Sequence, residues 1–392
     1  MKKDITTSTK KIAYAICVML VMALTIVLTG SETVEAKSGD VTSVRVSTQK
    51  ELEKAISDPN IDHITFKTSA YINVTIKANE AAKNKWLEIE APNATVINKA
   101  VFSRIDLSSI KGYTEKASGN NYVLYDNANN GVMIVSKGKT VAGILIYSID
   151  YETPMYTLRK GAKVKEVGLK SYDDLFASSK YDKEKRQLRI QNKNADGVKE
   201  IHTVILDKSG RMTKVALESE VEEECFEYEY EYDKNGNITR KTGFDSKNPL
   251  GELETKYSYT ANNLTKEVTT GMESAKAVYE YDAKGRLIRR TYNATLIGDN
   301  GEYSCNSIEE YKYDKNGRLT LEKYTDTDNG DEHIFKYTYD KKGFNIKTEN
   351  NQYNGNYVFI VENEYDNAGD LVKQTTKDQF GDVDEVVEFK KS

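Results

Sequence analysis

One phrase recurs along the C-terminal half of this chain: Tyr-x-Tyr-Asp-x-x-Gly, followed by an apolar residue. It stands as Tyr230, Tyr232, Asp233 and Gly236 before Ile238, and as Tyr279, Tyr281, Asp282 and Gly285 before Leu287. It returns as Tyr311, Tyr313, Asp314 and Gly317 before Leu319, and as Tyr337, Tyr339, Asp340 and Gly343. Tyr365, Asp366, Gly369 and Leu371 form a partial copy. Tyr257 and Tyr259 head a degenerate copy with Thr260 and Asn263 at the Asp and Gly slots; Leu206, Asp207, Gly210 and Met212 read as an eroded first copy. A repeated unit cannot bury its apolar face alone and must stack on its neighbours, so the pattern predicts an elongated array used as a surface rather than one catalytic pocket.

The spacing predicts the local structure. Tyrosines two apart project from one side of a strand. Tyr, Thr, Val and Ile on the flanks suit a half-buried sheet. The Asp is placed to bond a backbone N–H two residues on, and the Gly supplies the positive φ that closes a three-residue hairpin loop with a bulge. Most signature positions lie about 26 residues apart, room for two strands and two turns. Asn300–Gly301, Asn329–Gly330 and Asn354–Gly355 then read as tight primed turns between units. With 27 tyrosines, only 4 prolines and charges of both signs interspersed at 30%, the chain reads as a solvated β surface, not a disordered tail.

The copy with Gly271, Tyr279, Tyr281, Asp282, Gly285, Arg286, Leu287 and Ile288 resembles the YD repeat of the RHS and teneurin-like families, and Arg318 with Leu319 repeats its ending. The resemblance covers residues 201–392. It implies strand–turn–strand units stacked into a long curling sheet, with the signature residues in structural roles. About six or seven units are expected to be too few for a closed shell. The toxin-delivery role of large family members is not carried over.

The N-terminus reads as a secretory leader. Lys10 and Lys11 precede an uncharged apolar run over residues 12–28, and Val34 and Ala36 fit small residues at a cleavage site, so cleavage is expected after about Ala36. Ser31 stands where a lipid-bearing Cys would be needed. Residues 1–36 carry a net +1, so their removal takes the net charge from −5 to −6. A mildly acidic exported chain is a poor nucleic-acid ligand, and no membrane contact is expected beyond the leader. The expected location is secreted or extracellular at the cell surface. Cys225 and Cys305 remain in the mature chain, with disulfide and free thiols both open.

Residues 37–200 differ in character. Thr48 and Glu51 form a capping box ahead of a short helix that Asp58 and Pro59 end. Short strands follow at residues 64–66, 72–76, 87–89, 96 and 105–107, with Pro92 and Asn93 read as a turn. Residues 37–110 resemble the N-terminal cap and first coils of a pectate-lyase-like right-handed β-helix, and the segment 89–99 is similar to segments of bacterial β-helical surface proteins. Residues 131–135 and 141–147 are expected to be fully buried strands. A short helix is read at 171–176, and Tyr181, Asp182 and Leu188 read as the most eroded repeat. Both β regions forming one continuous solenoid stays open.

No catalytic, cofactor or metal constellation is read. His63, His202 and His333 share no ligand spacing. Residues 326–332 place Gly330 one position early for a calcium loop and read as a hairpin turn. The acidic strand through Tyr228, Tyr230 and Tyr232 reads as an exposed carboxylate face opposite a tyrosine face. The fold class is all-β: residues 1–36 leader, 37–200 β-helix-like, 201–392 YD-repeat sheet. The function expected is non-enzymatic binding of glycan or a surface protein; the tyrosine rows read first as a structural ladder of cross-strand pairs, and if they bind glycan, an exposed pair such as Tyr311 and Tyr313 is expected to act together. A degenerate polysaccharide lyase or hydrolase and a structural spacer are the alternatives.

Overall fold

Thr48 accepts from Glu51 N, and the Glu51 carboxylate accepts from the Thr48 backbone. This reciprocal cap starts α1 (Gln49–Ser57), whose Leu52, Ala55 and Ile56 are buried. The computed structural model describes residues 42–117, 121–125, 131–146, 154, 156–169, 178–193, 197–221, 225–246, 253–271, 274–298, 301–355 and 357–389. The leader, the helix read at 171–176 and the last three residues lie outside them. Around α1 a parallel sheet is built from β1 (Ser43–Val46), β2 (His63–Lys67), β3 (Asn73–Ile76), β4 (Trp86–Asn98), β5 (Arg104–Glu115), β6 (Tyr122–Tyr125), β7 (Val132–Val135), β8 (Thr140–Ile146), β9 (Thr157–Leu158) and β10 (Lys163–Leu169). Every pairing within it is parallel, as in a coiled β-solenoid.

Alternation turns Ile64, Phe66, Leu87, Ile89, Ile105 and Leu107 inward, each fully buried. Each such side chain contributes roughly 1.5–3 kcal/mol by leaving water. Pro92 and Asn93, read as a turn, instead lie inside β4, where the register with β5 shifts between Ala91 and Thr95. The strand bends there and serves two faces: its first half pairs with β2, its second with β3. Residues 131–135 are buried on one side only. Val132 is 60% exposed because β7 presents alternate residues to water.

Antiparallel pairing begins at Ser178, ahead of the boundary placed at 200. The strands are β11 (Ser178–Asp182), β12 (Gln187–Lys193), β13 (Lys199–Leu206), β14 (Met212–Ser219), β15 (Phe226–Tyr232), β16 (Ile238–Asp245), β17 (Leu253–Thr260), β18 (Asn263–Thr270) and β19 (Ser274–Tyr281). They continue as β20 (Leu287–Gly298), β21 (Gly301–Tyr313), β22 (Leu319–Asp326), β23 (Glu332–Tyr339), β24 (Asn345–Gln352), β25 (Tyr357–Tyr365), β26 (Leu371–Asp378) and β27 (Val383–Glu388). All seventeen follow in chain order in one sheet, separate from the parallel one. The protein is therefore all-β, and its described residues form two sheets rather than one continuous solenoid.

The repeat turns have the geometry their residues require. Asp282 N donates to Arg286 O at 2.9 Å, Gly285 N donates to Asp282 O at 2.9 Å, and Gly285 has φ +77°. The degenerate copy replaces this with a two-residue turn, Ala261 and Asn262, both at positive φ. In the oldest copy Arg186 takes the positive-φ slot. Two of the three turns between units depart from the two-residue expectation, while Gly298 pairs with Gly301 across two residues, Asn300 among them, that lie outside the described ones. Asp326 to Asp331 closes a wider loop in which Asp326 Oδ1 accepts from Asp328 N and Asn329 N. Gln352 pairs with Tyr357 across a four-residue connection.

The array is not a free extended platform. Val164 N donates to Ser209 O at 2.9 Å, Tyr156 Oη to Gly210 O at 2.6 Å, and Arg159 bonds Asn237. Far along the array Tyr71 N donates to Gly343 O at 2.9 Å, Ser69 Oγ to Gly369 O at 3.3 Å, and Arg45 pairs with Asp370. Twelve strand spacings, roughly 58 Å, separate the turns at Gly210 and Gly369, against five spacings, roughly 24 Å, between β2 and β10. The row of turns must therefore arch, with both ends resting on the solenoid. One hydrophobic core runs from the solenoid through Leu188, Val204, Val215, Phe226 and Tyr230.

Two glycines at the same slot separate turn strain from docking. A Cβ on Gly317 (φ +86°) has only Arg286 Nη1 nearby at 4.0 Å, whereas one on Gly236 (φ +87°) falls 1.8 Å from Leu158 O. Gly317→Ala should cost about 1–2 kcal/mol in urea unfolding from backbone strain. Gly236→Ala should cost at least about 1–3 kcal/mol more, from the forced shift against the solenoid. Equal losses would contradict the docked arrangement.

Candidate functional site

The signature residues assemble a ladder from turn to turn. Asp314 Oδ1 accepts from Asn316 N at 2.8 Å and Arg318 N at 2.9 Å, and its Oδ2 accepts from Arg318 Nε at 2.6 Å. Asp233, Asp282, Asp340 and Asp366 hold their turns in the same way. Burial opposes ionisation of Asp314, but the Arg318 backbone and guanidinium bonds outweigh it and hold the carboxyl below its ordinary range. Arg318 then reaches forward: Nη1 donates to Asp340 O at 2.9 Å and the guanidinium lies 4.8 Å from the Tyr339 ring centre. Arg286 repeats this toward Asp314 and Tyr313.

The second tyrosine of each unit reaches back. Tyr313 Oη donates to Leu287 O at 2.8 Å, Tyr339 to Leu319 O at 2.7 Å, Tyr365 to Asn345 O at 3.1 Å and Tyr232 to Met212 O at 2.5 Å. The first tyrosines meet carboxylates on the same face. Tyr279 Oη donates to Glu267 at 3.0 Å, Tyr311 to Glu309 at 2.8 Å and Tyr337 to Glu322 at 3.3 Å. Burial, then the neighbouring carboxylates, pushes the Tyr279 phenol up to about 12 and the Tyr311 and Tyr337 phenols further. Tyr230 is buried in the core, and burial also raises Tyr281. Glycan binding by the tyrosine rows called for an exposed pair such as Tyr311 and Tyr313; both rings are instead half-buried and both hydroxyls are bonded within the array, as in a structural ladder. The acidic strand β15 does face its tyrosines inward, with Glu229 and Glu231 exposed.

The remaining candidates do not converge. His63 stacks on Trp86 at 4.0 Å, His202 lies beside Glu200, and His333 packs edge-on to Tyr324. Cys225 and Cys305 are free thiols. Among the described residues no group of three or more His, Cys, Asp or Glu is placed to hold a metal. No helix among them is long and apolar enough to cross a membrane. A polar cluster missed from sequence sits inside the solenoid. The Glu115 carboxylate accepts from Asn98, Tyr113 Oη at 2.8 Å, Ala117 N and Asn121 at 2.9 Å, which satisfies it as a structural peg.

Open hollows beside an exposed aromatic ring lie on the solenoid flank. Tyr122, 51% exposed, leans across its ladder partner Gly143, where a Cβ would fall 2.8 Å from the ring. One step along, Leu145 leans over Gly168 in the same way. Two adjoining hollows of about 290 and 270 Å³ flank Tyr122. Lys165 lines one, Leu145 and Val167 the other, and Glu166 borders both. Lys183 bonds Glu166 at 2.7 Å and holds its carboxyl below its usual range. The sequence signal was there: a Tyr heading the short strand Tyr122–Tyr125, opposite a Gly two strands of sequence later. Nothing in the sequence states that the two are neighbours.

No family model matches the chain, and no curated protein matches it. Among solved structures, the Photorhabdus luminescens Tc holotoxin pore aligns over 54% of this chain and 15% of its own at 14% identity and TM-score 0.19. The TcdB2–TccC3 complex aligns over 51% of this chain and 16% of its own at 12% identity and TM-score 0.18. A porin-like protein from Bacteroides uniformis aligns over 51% of this chain and 91% of its own at 14% identity and TM-score 0.25. The chain thus spans only about a sixth of the toxin chains' length. These scores lie below those of chains sharing an overall fold, and the functional reading rests on this chain's own residues.

Two substitutions test the ladder. Arg318→Lys loses the forked bond to Asp314, the bond to Asp340 O and the ring contact, and should cost about 1–2 kcal/mol in urea unfolding. Glu322 behaves oppositely: burial, then Glu309, raises its carboxyl above the ordinary range despite the Tyr337 bond. The folded state therefore holds that proton more tightly than the unfolded chain, and stability falls as pH rises from the ordinary carboxylate range through the raised value. Glu322→Gln should raise the melting temperature at pH 7, with the gain vanishing below about pH 4. A gain that persists unchanged in acid would contradict the assignment.

Proposed function

We propose that this chain is an exported, non-catalytic binding protein of the YD-repeat type, with a β-helix-like start resembling pectate-lyase-like proteins. In this reading the array is scaffold and the solenoid flank around Tyr122 takes glycan. The observation that carries it is the Tyr122 ring laid across Gly143. An exposed aromatic face beside hollows edged by Lys165, Glu166 and Lys183 suits stacking of a sugar ring, with polar groups at the edge for its hydroxyls. The signature tyrosines, by contrast, spend their hydroxyls and much of their ring area on the array itself. A lyase or hydrolase would need acid and base groups converging in a groove. Glu166 bound to Lys183 beside Tyr122 is a recognition pair, not an acid/base pair.

Affinity electrophoresis of the mature chain through gels containing soluble polysaccharides tests this. Tyr122→Ala should restore free mobility in the gel that retards the native chain, whereas Tyr311→Phe should be retarded like the native chain. Added salt should matter little, since stacking is not a charge contact. Retardation that survives Tyr122→Ala would sink the site. No retardation by any polysaccharide would favour the spacer reading.

A further inference from the structure

The outward side chains beside Tyr122 form a grid of three coils by two rows. Alternation turns Val123, Ile144 and Val167 into the core. It leaves Tyr122, Gly143 and Glu166 as ladder partners in one outward row, and Leu124, Leu145 and Gly168 in the other. Two of these six positions carry no side chain, and they lie diagonally. Tyr122 leans over one glycine and Leu145 over the other. The hollow of about 270 Å³ is lined by both leaning side chains, by Leu124 and by both glycines. The charged groups in its lining are Glu166 and Lys183, bonded at 2.7 Å.

This combination narrows what a bound sugar must carry. An apolar hollow offers a hydroxyl no partner, and burying an unpaired hydroxyl is unfavourable. It suits a methyl group. A carboxylate only accepts and an ammonium only donates, so Glu166 and Lys183 present an acceptor and a donor side by side. An amide answers both, with its N–H toward Glu166 and its C=O toward Lys183. An ester has no N–H for the carboxylate, and a methyl on the sugar itself has neither polar group. A free amine lacks the methyl and brings a second cation to Lys183.

We propose that the solenoid flank selects a sugar bearing an acetamido group. The sugar ring lies on Tyr122, the amide meets Glu166 and Lys183, and the methyl enters the hollow against Leu145. This selectivity rests on the glycan reading of the same flank and names the substituent that reading leaves open.

The chitin tetramer and the cellulose tetramer test it with the full mature chain. Both are neutral and share one linkage; they differ in an acetamido or a hydroxyl group beside the anomeric carbon. Titration calorimetry should find the chitin tetramer bound at least about tenfold more tightly, the worth of one small apolar group in a fitted hollow. Leu145→Ala should cost the chitin tetramer about fourfold, as for one methyl less well covered, and leave the cellulose tetramer unchanged. Tyr122→Ala should abolish binding of both. In saturation-transfer NMR of the native complex, the acetyl methyl should rank among the most strongly saturated ligand protons. Should Leu145→Ala lower the melting temperature, that methyl signal decides. Equal binding of both tetramers, lost in Tyr122→Ala, would leave the glycan site standing and overturn the acetamido selectivity. An unsaturated methyl in a bound chitin tetramer would overturn it too. Binding of neither tetramer, with gels of other polysaccharides still retarding the chain, would overturn the selectivity alone; no retardation in any gel would remove the glycan reading and the selectivity with it.

Discussion

The array depends on one bonded group: the signature Asp carboxylate, which closes the repeat turns other than the degenerate one at Ala261 and Asn262. It takes two backbone N–H groups of its own loop and, where Arg follows the Gly, the guanidinium as well. That Arg is fixed in one orientation, from which it bonds the next turn's carbonyl and covers the next unit's tyrosine. The tyrosine answers by donating to the strand behind it. Turn closure and unit stacking are thus the same set of bonds, and a unit with an incomplete turn must be held by something else.

The solenoid is that something else at both ends. The copies at Gly210, Gly236, Gly343 and Gly369 carry no complete Gly-Arg forward link, except for Arg211, which lies over the Tyr232 ring. These are the turns that touch the solenoid through Val164, Arg159, Tyr71 and Ser69. The middle turns at Gly285 and Gly317 have the Arg link and span the arch without that support. Strength within the sheet and support from the solenoid are therefore complementary along the chain.

This division also explains where ligand-binding surface remains. Side chains of the repeat are consumed by the ladder, down to hydroxyls whose pKa values burial and carboxylates lift. Exposed aromatic surface lies where the ladder does not reach, on the solenoid flank at Tyr122. Repetition here builds the frame, and the proposed glycan site is placed on a part that does not repeat.

The sequence by itself determined the all-β class, the strand–turn–strand unit, the capping box at Thr48 and the positive-φ glycines, because each depends on residues within a few positions of one another. It also determined that β15 presents carboxylates on one face and tyrosines on the other, through the two-residue period of a strand. It misjudged Pro92 and Asn93, whose bend is absorbed inside a strand because neighbouring coils pair on both sides, and it left open whether a pair such as Tyr311 and Tyr313 is exposed. Only the tertiary structure decided that the row of turns arches back onto the solenoid, and that Tyr122 rests on Gly143. Those contacts join residues far apart in the chain, such as Arg45 with Asp370, and no local pattern carries the distance between them.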